Sequence, residues 1–322
     1  EQIIYGAKTA TTFISCTRGT NGTTATVHSI GDVIYRNPAV RIIVDEYPSL
    51  GWQAASQIET IVPDVIKKLG FATPAYSLSA GGANSILNVT IDVGTTALTL
   101  KNAQFFASSG LVQIENEKVS YSGKSGNVLT GCIRGEIGTS AATHSISTAV
   151  NQLARMIVQA QDLYNNPVNV SSNTNLDLLS DSINSAFSTN GTAWTVTQTT
   201  IPSGNSTATF YFKDIKVGNV IVSVDENPSQ TWGLASQQQS IPPNDISKIV
   251  FISSTQKIVA NSTGTGSSYI TLQTQDAYGN PSNVQTNKEI MLGGNSGNRN
   301  FSPDGITWGA DRVTVTSGDN TA

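Results

Sequence analysis

Reactive side chains are scarce in this sequence: its 322 residues hold two cysteines, two histidines and two methionines. Catalysis needs an activated nucleophile, a base or a metal in a shaped pocket. Spacings such as Cys-x-x-Cys and His-Glu-x-x-His are missing, as is any glycine-rich phosphate loop ahead of a helix. No enzyme active site is expected. Charge is scarce too, at 12% of residues, about half the usual share of ~25%. The net charge of -4 leaves no basic footprint, which argues against nucleic acid as a partner. No run approaches the ~20 apolar residues of a membrane span. Helical periodicity is almost absent; its best stretch, Ile61 to Leu69, is short, contains Pro63 and reads as a connector. There is no initiator methionine and no signal-like start at Glu1, so the chain reads as cut from a longer precursor.

What the sequence does hold is Ser, Thr, Asn and Gln in abundance, arranged in strand patterns. Thr207 to Lys213 and Val220 to Val224 are rich in β-branched and aromatic residues, and Ser268 to Thr274 alternates as a half-buried strand does. Clusters of Gly, Asn, Pro and Ser interrupt these runs at sandwich spacing. Uncharged, hydroxyl-rich strands of this kind suit secreted β-proteins and fibres, so the fold class is all-β and the expected location is extracellular, at a cell surface.

The chain also repeats itself without gaps. A shift of 116 carries Glu1, Tyr5, Lys8, Cys16, Arg18, Gly19 and His28 onto Glu117, Tyr121, Lys124, Cys132, Arg134, Gly135 and His144. A shift of 114 carries Gln161-Asp162, Tyr164, Asn166-Pro167, Phe187-Ser188, Gly191 and Trp194 onto Gln275-Asp276, Tyr278, Asn280-Pro281, Phe301-Ser302, Gly305 and Trp308. A shift of 180 carries Val44-Asp45-Glu46, Pro48-Ser49, Trp52 and Ala55-Ser56-Gln57 onto Val224-Asp225-Glu226, Pro228-Ser229, Trp232 and Ala235-Ser236-Gln237. Arrays of similar modules build length and surface more often than a single cleft.

The 114 and 180 shifts define one larger module. It runs through Gln-Asp-x-Tyr-x-Asn-Pro, a Phe-Ser-x-x-Gly-x-x-Trp hairpin, a Ser-Gly-x-x-Thr-Ala turn and a closing Val-Asp-Glu-x-Pro-Ser. In that order it resembles the bacterial immunoglobulin-like domains of the invasin and intimin type, which stand in tandem on cell-surface proteins. The smaller module, complete at about 87–150, reads as β-hairpins. Its Gly-Leu-Val-Gln-Ile-Glu and Leu-Thr-Gly-Cys-Ile-Arg-Gly runs are similar to small β-modules of tailed-phage structural proteins. The expected organisation is the end of a small module at 1–38, a terminal strand and connector of an Ig-like domain at 39–64, and an Ig-like sandwich at 65–240. The small module is inserted in that sandwich at about 87–150, and a second Ig-like domain, truncated, occupies 241–322. A plain beads-on-a-string order, with the module interspersed, is the alternative.

The residues that invite a functional reading recur at equivalent positions, which favours framework roles. Cys16 and Cys132 read as two small buried side chains. His28 and His144 read as hydrogen-bonded turn histidines, and Arg18 and Arg134 as framework partners for a carboxylate or a carbonyl. Trp52, Trp194, Trp232 and Trp308 pack between sheets or at junctions, unless exposed as platforms for a glycan. Asp45, Glu46, Asp225 and Glu226 sit where one Ig-like domain hands over to the next, which makes them calcium candidates, though two carboxylates fall short of the usual 6–8 ligands. No other cofactor is expected. Asn-x-Ser/Thr acceptors occur at Asn21, Asn88, Asn169, Asn190, Asn205, Asn261 and Asn300.

The functional expectation is a structural repeat protein of an S-layer, adhesin stalk or extracellular filament, whose partners are copies of itself or adjoining repeats. A tailed-phage fibre or baseplate component is one alternative; an accessory binding module of a secreted polysaccharide-degrading enzyme is another. The segment 245–322 stops short of the strands that Thr209–Lys213 and Val220–Glu226 supply in the complete module, and Val40 to Glu46 matches one of them. Two readings fit: a window cut from a longer repetitive chain, or head-to-tail strand addition between chains.

Overall fold

The computed structural model describes residues 3–8, 13–18, 24–26, 39–44, 55–60, 62–256, 269–297 and 299–322. Among these the regular elements are β-strands, without a helix. Two hairpins come first, β1 (Ile3–Lys8) with β2 (Phe13–Arg18) and β3 (Ala39–Val44) with β4 (Ala55–Thr60). Residues 62–67 follow as coil through Pro63, and Lys68 already belongs to the next strand.

That strand is β5 (Lys68–Phe71). Six short strands follow: β6 (Asn84–Ile86), β7 (Ala97–Thr99), β8 (Gly110–Ile114), β9 (Glu117–Tyr121), β10 (Gly123–Ser125) and β11 (Val128–Thr130). The chain then enters β12 (Ala149–Gln161), 13 residues long. It continues through β13 (Thr174–Ser180), β14 (Ser185–Ser188), β15 (Gln198–Ile201), β16 (Thr207–Asp214), β17 (Gly218–Asn227) and β18 (Ala235–Ile241).

These strands form two layers around one core. One layer runs β14-β16-β12-β5 and the other β15-β13-β17-β18. Alternation does the sorting: Met156, Val158 and Ala160 of β12, Phe210 and Phe212 of β16, Leu176 and Leu178 of β13, and Val220, Val222 and Val224 of β17 all point into the same buried cluster. Phe210 lies at its centre, edge-on to Phe187 with ring centroids 5.9 Å apart. The segment leading away from β5 ties the layers together at one margin. The Leu69 amide donates to Gly233 O, and the amides of Leu78 and Ser240 donate to Ser240 O and Tyr76 O.

β12 also serves a second body. Its C-terminal half, 154–161, pairs with β16 and β5, while its N-terminal half, 149–153, pairs with β6 and β8. Strands β6 to β11 enclose their own apolar cluster around Leu87, Leu98, Leu100, Ile114 and Leu129. The seam between the two bodies is filled by Leu111, Leu153 and Tyr211, with Trp194 partly buried against them. Two ammonium groups lie over aromatic faces here: Lys213 Nζ is 4.3 Å from the Trp194 ring centroid and Lys118 Nζ 5.6 Å from that of Tyr211. Gly191 is required at the seam. Its φ is +83°, and a Cβ there would sit 3.1 Å from both Gln113 Oε1 and Leu153 Cδ1.

The last unit contains β19 (Ile246–Phe251) paired with β20 (Leu272–Asp276), and β21 (Lys288–Met291) paired with β22 (Arg312–Val315). Of the half-buried run expected over Ser268 to Thr274, Ser268 lies outside the described residues, and the strand spans Leu272–Asp276. Shift by shift, the copies keep the same register. β21 on β22 repeats β13 on β15, with Lys288 opposite Val315 as Thr174 is opposite Ile201. β3 on β4 repeats β17 on β18, from Val44 opposite Ala55 to Ala39 opposite Thr60. β1 on β2 repeats the second body, with Ile4 opposite Thr17 as Ser120 is opposite Ile133.

Because β12 belongs to both bodies, the two are expected to unfold together. Phe210→Ala in one core and Leu98→Ala in the other, both at fully buried positions, should each cost about 2–5 kcal/mol. Calorimetry on 62–241 within the intact chain should show one shared transition lowered by either change; two transitions, each moved by one variant only, would be the contrary result.

Candidate functional site

With apolar cores accounted for, several of the buried polar groups, Asp162, Asn244, Asp276, Asn280 and Ser282, gather at the places where one unit meets the next. The Gln-Asp-x-Tyr-x-Asn-Pro turn builds both. At the first, Asp162 Oδ1 accepts from the amides of Tyr164 (2.8 Å) and Asn166 (2.9 Å), and Oδ2 accepts from Asn166 Nδ2 (2.8 Å) and from the incoming amide of Asp64 (3.2 Å). At the second, Asp276 Oδ1 accepts from Tyr278 and Asn280 (2.9 Å each), and Oδ2 from Asn280 Nδ2 (2.8 Å) and the incoming amide of Asn244 (3.2 Å). An ionised carboxylate, an acceptor with about four lone-pair sites, suits a corner where N–H groups converge. Burial pushes the Asp162 carboxyl up, but the donors from Asn166, Asp64 and Tyr164 outweigh it and hold the group below its ordinary value.

The second joint reaches further. Asn280 Nδ2 donates to Ile215 O (2.9 Å) and its Oδ1 accepts from the Val217 amide (3.1 Å), so one side chain clasps the turn between β16 and β17. Asn244 Nδ2 donates to Ala80 O and Gly82 O, both at 3.1 Å, and Ser282 Oγ donates to Asn244 O. Tyr278 lies over Gly81, whose φ is +74°; a Cβ at that position would fall 2.1 Å from the tyrosine hydroxyl. Asn102, from the second body, donates to both carboxylate oxygens of Asp245 (3.0 and 2.8 Å). The linker 242–245 is thereby bound on three sides, with asparagine amides and backbone groups as the main donors and carbonyls and the carboxylates of Asp245 and Asp276 as acceptors.

A separate polar cluster locks the second body. Glu117, 2% exposed, receives both Nε (2.6 Å) and Nη2 (2.7 Å) of Arg134, together with the amides of Gly135 and Ala142. Arg134 also donates to Asp92 O and Ala142 O. His144 lies between two carboxylates, Nδ1 at 2.9 Å from Glu115 and Nε2 at 2.8 Å from Glu117, and donates to both only with a proton on each nitrogen. Burial raises the Glu117 carboxyl; the bonds from Arg134, His144, Ala142 and Gly135 prevail and set it at about 2. In the earlier copy Arg18 donates to Thr26 O, the counterpart of Arg134 to Ala142 O.

The sequence candidates are placed as follows. Glu226 is buried and its Oε1 accepts from the amides of Gln230 (2.6 Å) and Trp232 (2.9 Å), while Asp225 Oδ1 accepts from the Glu226 amide. Burial and the neighbouring Glu226 raise the Asp225 carboxyl. Asp45, Glu46, His28 and Trp52 lie outside the described residues. Among the described residues no group of three or more His, Cys, Asp or Glu side chains is placed to hold a metal. The expectation that both cysteines are buried needs correction: Cys132 is buried with Sγ 3.4 Å from Leu129 O, but Cys16 is exposed. Cys132 is covered by the β7 region, its amide bonded to Thr96 O, and no described strand takes that place over β2. Trp194 and Trp232 are partly buried, whereas Trp308 is 46% exposed. The described acceptors Asn88, Asn169, Asn190, Asn205 and Asn300 are all exposed.

Repeat matching misses the joint residues Asn244 and Asn102. Asp64 and Asn244 differ as residue types but act through the same backbone amide, which identity does not reveal. Glu117 was visible as the partner of Glu1 in the 116 shift, but nothing in sequence brings it to Arg134 and His144.

Two outcomes are expected. The folded value of Glu117 lies below its unfolded one, so its contribution is full above about pH 4.5 and is lost as pH falls toward about 2. Denaturation midpoints should fall across that window, and fall less in Glu117→Gln, whose starting stability is lower by about 3–5 kcal/mol because Arg134 stays buried without its partner. Asn280→Ala removes bonds across the joint worth about 1–2 kcal/mol. Limited proteolysis within 242–245 should then run about tenfold faster while cleavage inside β12 to β18 is unchanged.

No family model matches this chain, and no curated protein does. Among solved structures it aligns with "Structure of surface layer protein SbsC, domains 4-9", at 10% identity and a TM-score of 0.24, over 87% of this chain and 31% of that one. It also aligns with "Structure of surface layer protein SbsC, domains 1-6", at 9% identity and a TM-score of 0.19, over 86% of this chain and 53% of that one. The chain thus spans about a third and about half of these two, and scores this low carry no argument about role.

Proposed function

We propose that the chain is a structural repeat protein of an extracellular surface assembly, an S-layer, adhesin stalk or filament, acting by head-to-tail packing of its units. The observation that carries this is the repeated joint. Asp162 and Asp276 make the same set of hydrogen bonds to their own turns and to the linker entering from the preceding unit. A device that fixes how one unit follows another has value in an array, and little in a protein that works through one pocket. Low charge supports the same reading, since units carrying few charges pack closely without strong self-repulsion.

In this reading the two-layered body is an Ig-like sandwich of the bacterial surface type and β6 to β11 an insertion in it, anchored by the first half of β12. The role is mechanical rather than catalytic. Immunogold labelling of native cells with antibody against 62–241 tests it: label on a regular surface layer or on filaments is the expected result. Label confined to the cell interior, or to virions, would overturn it.

A further inference from the structure

The turn between β14 and β15 carries the acceptor run Asn190-Gly-Thr, and its geometry sets it apart from the other Asn-x-Ser/Thr runs. Asn190 is exposed. Its Oδ1 accepts from Ser188 Oγ (3.0 Å), the Thr192 amide (2.8 Å), Thr192 Oγ1 (2.9 Å) and the Ala193 amide (2.9 Å). Two of these donors are backbone N–H groups, which fixes the turned-in atom as the oxygen. Nδ2 has no partner among the described residues and is left to solvent. At Asn88, Asn169, Asn205 and Asn300 no hydroxyl of the run is bonded to its own asparagine. Thr90 Oγ1 accepts from the Ile146 amide instead, Ser302 Oγ donates to Asp304, and Thr207 is already part of β16.

The 114-shift copy separates what this turn needs from what it does not. Asp304 stands at the place of Asn190, and its Oδ1 accepts from Ser302 Oγ (2.8 Å) and from the amides of Ile306 (2.8 Å) and Thr307 (2.7 Å). Ile306 stands at the place of Thr192. The turn therefore requires an oxygen here, but neither an amide nitrogen nor the hydroxyl, the two groups that make the run an acceptor. The donor set also favours negative charge on that oxygen: the amides of Thr307 and Ile306 and the Ser302 hydroxyl hold the Asp304 carboxyl well below the usual carboxylate range. An amide nitrogen is a weak nucleophile because its lone pair is delocalised into the carbonyl. As Nδ2 gives up a proton, charge builds on Oδ1, where donors already in place stabilise it. We propose that Asn190 carries an N-linked glycan, transferred from a lipid-linked sugar phosphate. The Nδ2–C1 bond forms, the C1–O bond to the phosphate breaks, and the proton lost from Nδ2 leaves with the lipid phosphate. The competing reaction of an Asn-Gly pair, attack of the glycine nitrogen on the side-chain amide, is opposed here because the Gly191 amide donates to Ser188 Oγ (2.8 Å). The inference goes beyond the assembly role and needs only that the chain cross a membrane bearing the sugar donor.

Chymotrypsin, which cuts after Phe187 and Trp194, isolates Ser188 to Trp194 with Asn190 as its single acceptor. From the native protein of its source cells this peptide is expected to carry hexose or N-acetylhexosamine additions, which electron-transfer fragmentation places on Asn190. In chains re-expressed in those cells, Asn190→Asp and Thr192→Val should each abolish the additions. Asn190→Asp should leave the thermal midpoint of the sugar-free chain unchanged, since the copy builds the same turn with Asp304. Asn190→Ala, which removes the accepting oxygen, should lower it. A bare peptide throughout the native protein, a peptide deamidated to Asp without sugar, or additions that persist in Asn190→Asp, overturns the proposal. A bare Asn190 on a labelled surface layer would remove the glycan alone; a glycosylated chain found on virions would remove the assembly role alone.

Discussion

Strand β12 is the constraint on which the middle of the molecule depends. Its 13 residues are flanked along one half by β6 and β8 and along the other by β5 and β16. A strand paired on both sides has its main-chain groups satisfied only while both bodies are in place. Side-chain alternation extends the dependence: Val150 points into one core and Met156, Val158 and Ala160 into the other. A slip of one residue would turn both sets outward together. A segment placed between β5 and β12 is thus held by a continuous backbone ladder, which is stiffer than a flexible pair of linkers.

The joints use a different chemistry from the cores. Asn102, Asn244 and Asn280 bind carbonyls, amides and a carboxylate across boundaries, and the carboxylates of Asp162 and Asp276 accept mainly from N–H groups. An amide side chain offers donor and acceptor together without the desolvation cost of a charge. Such bonds lose little to salt screening, unlike exposed ion pairs. This gives physical sense to a composition with 12% charged residues and abundant Asn and Gln. The full ion pair Arg134–Glu117 is kept for the interior of the second body, where backbone amides and His144 complete the carboxylate's hydrogen bonds.

How much of this was legible in the sequence follows from what each feature depends on. Strand content and the repeat were readable because both live in side-chain pattern: Val220, Val222 and Val224 alternate, and the shifts of 114, 116 and 180 carry register as well as residue type. The Asp of the Asp-x-Tyr-x-Asn-Pro turn could be singled out, but not its fourth hydrogen bond, since that donor is a backbone amide from far away in sequence. β12 was legible only from Met156 onward, because the buried face of Ala149 to Leu153 carries the polar Gln152 beside Val150, which breaks the apolar alternation, while Ala149 and Asn151 are exposed. The cluster of Glu115, Glu117, Arg134 and His144 is assembled by β9 and the loops around it, and no spacing announces it.

Equivalent residues do not have equivalent surroundings, and that difference is informative. Cys132 and Cys16 share a position and a register, yet one is buried and the other exposed; Leu69 and Ile249 differ in the same way. Burial here is not a property of the local hairpin, because β19 on β20 keeps the register of β5 on β12 and Ile4 pairs with Thr17 as Ser120 does with Ile133. It is conferred by the strands laid against them. A hairpin such as β3–β4 or β21–β22 therefore carries in its own sequence the specification for a neighbour, through alternating apolar positions whose cost of exposure is about 25 cal/mol per Å².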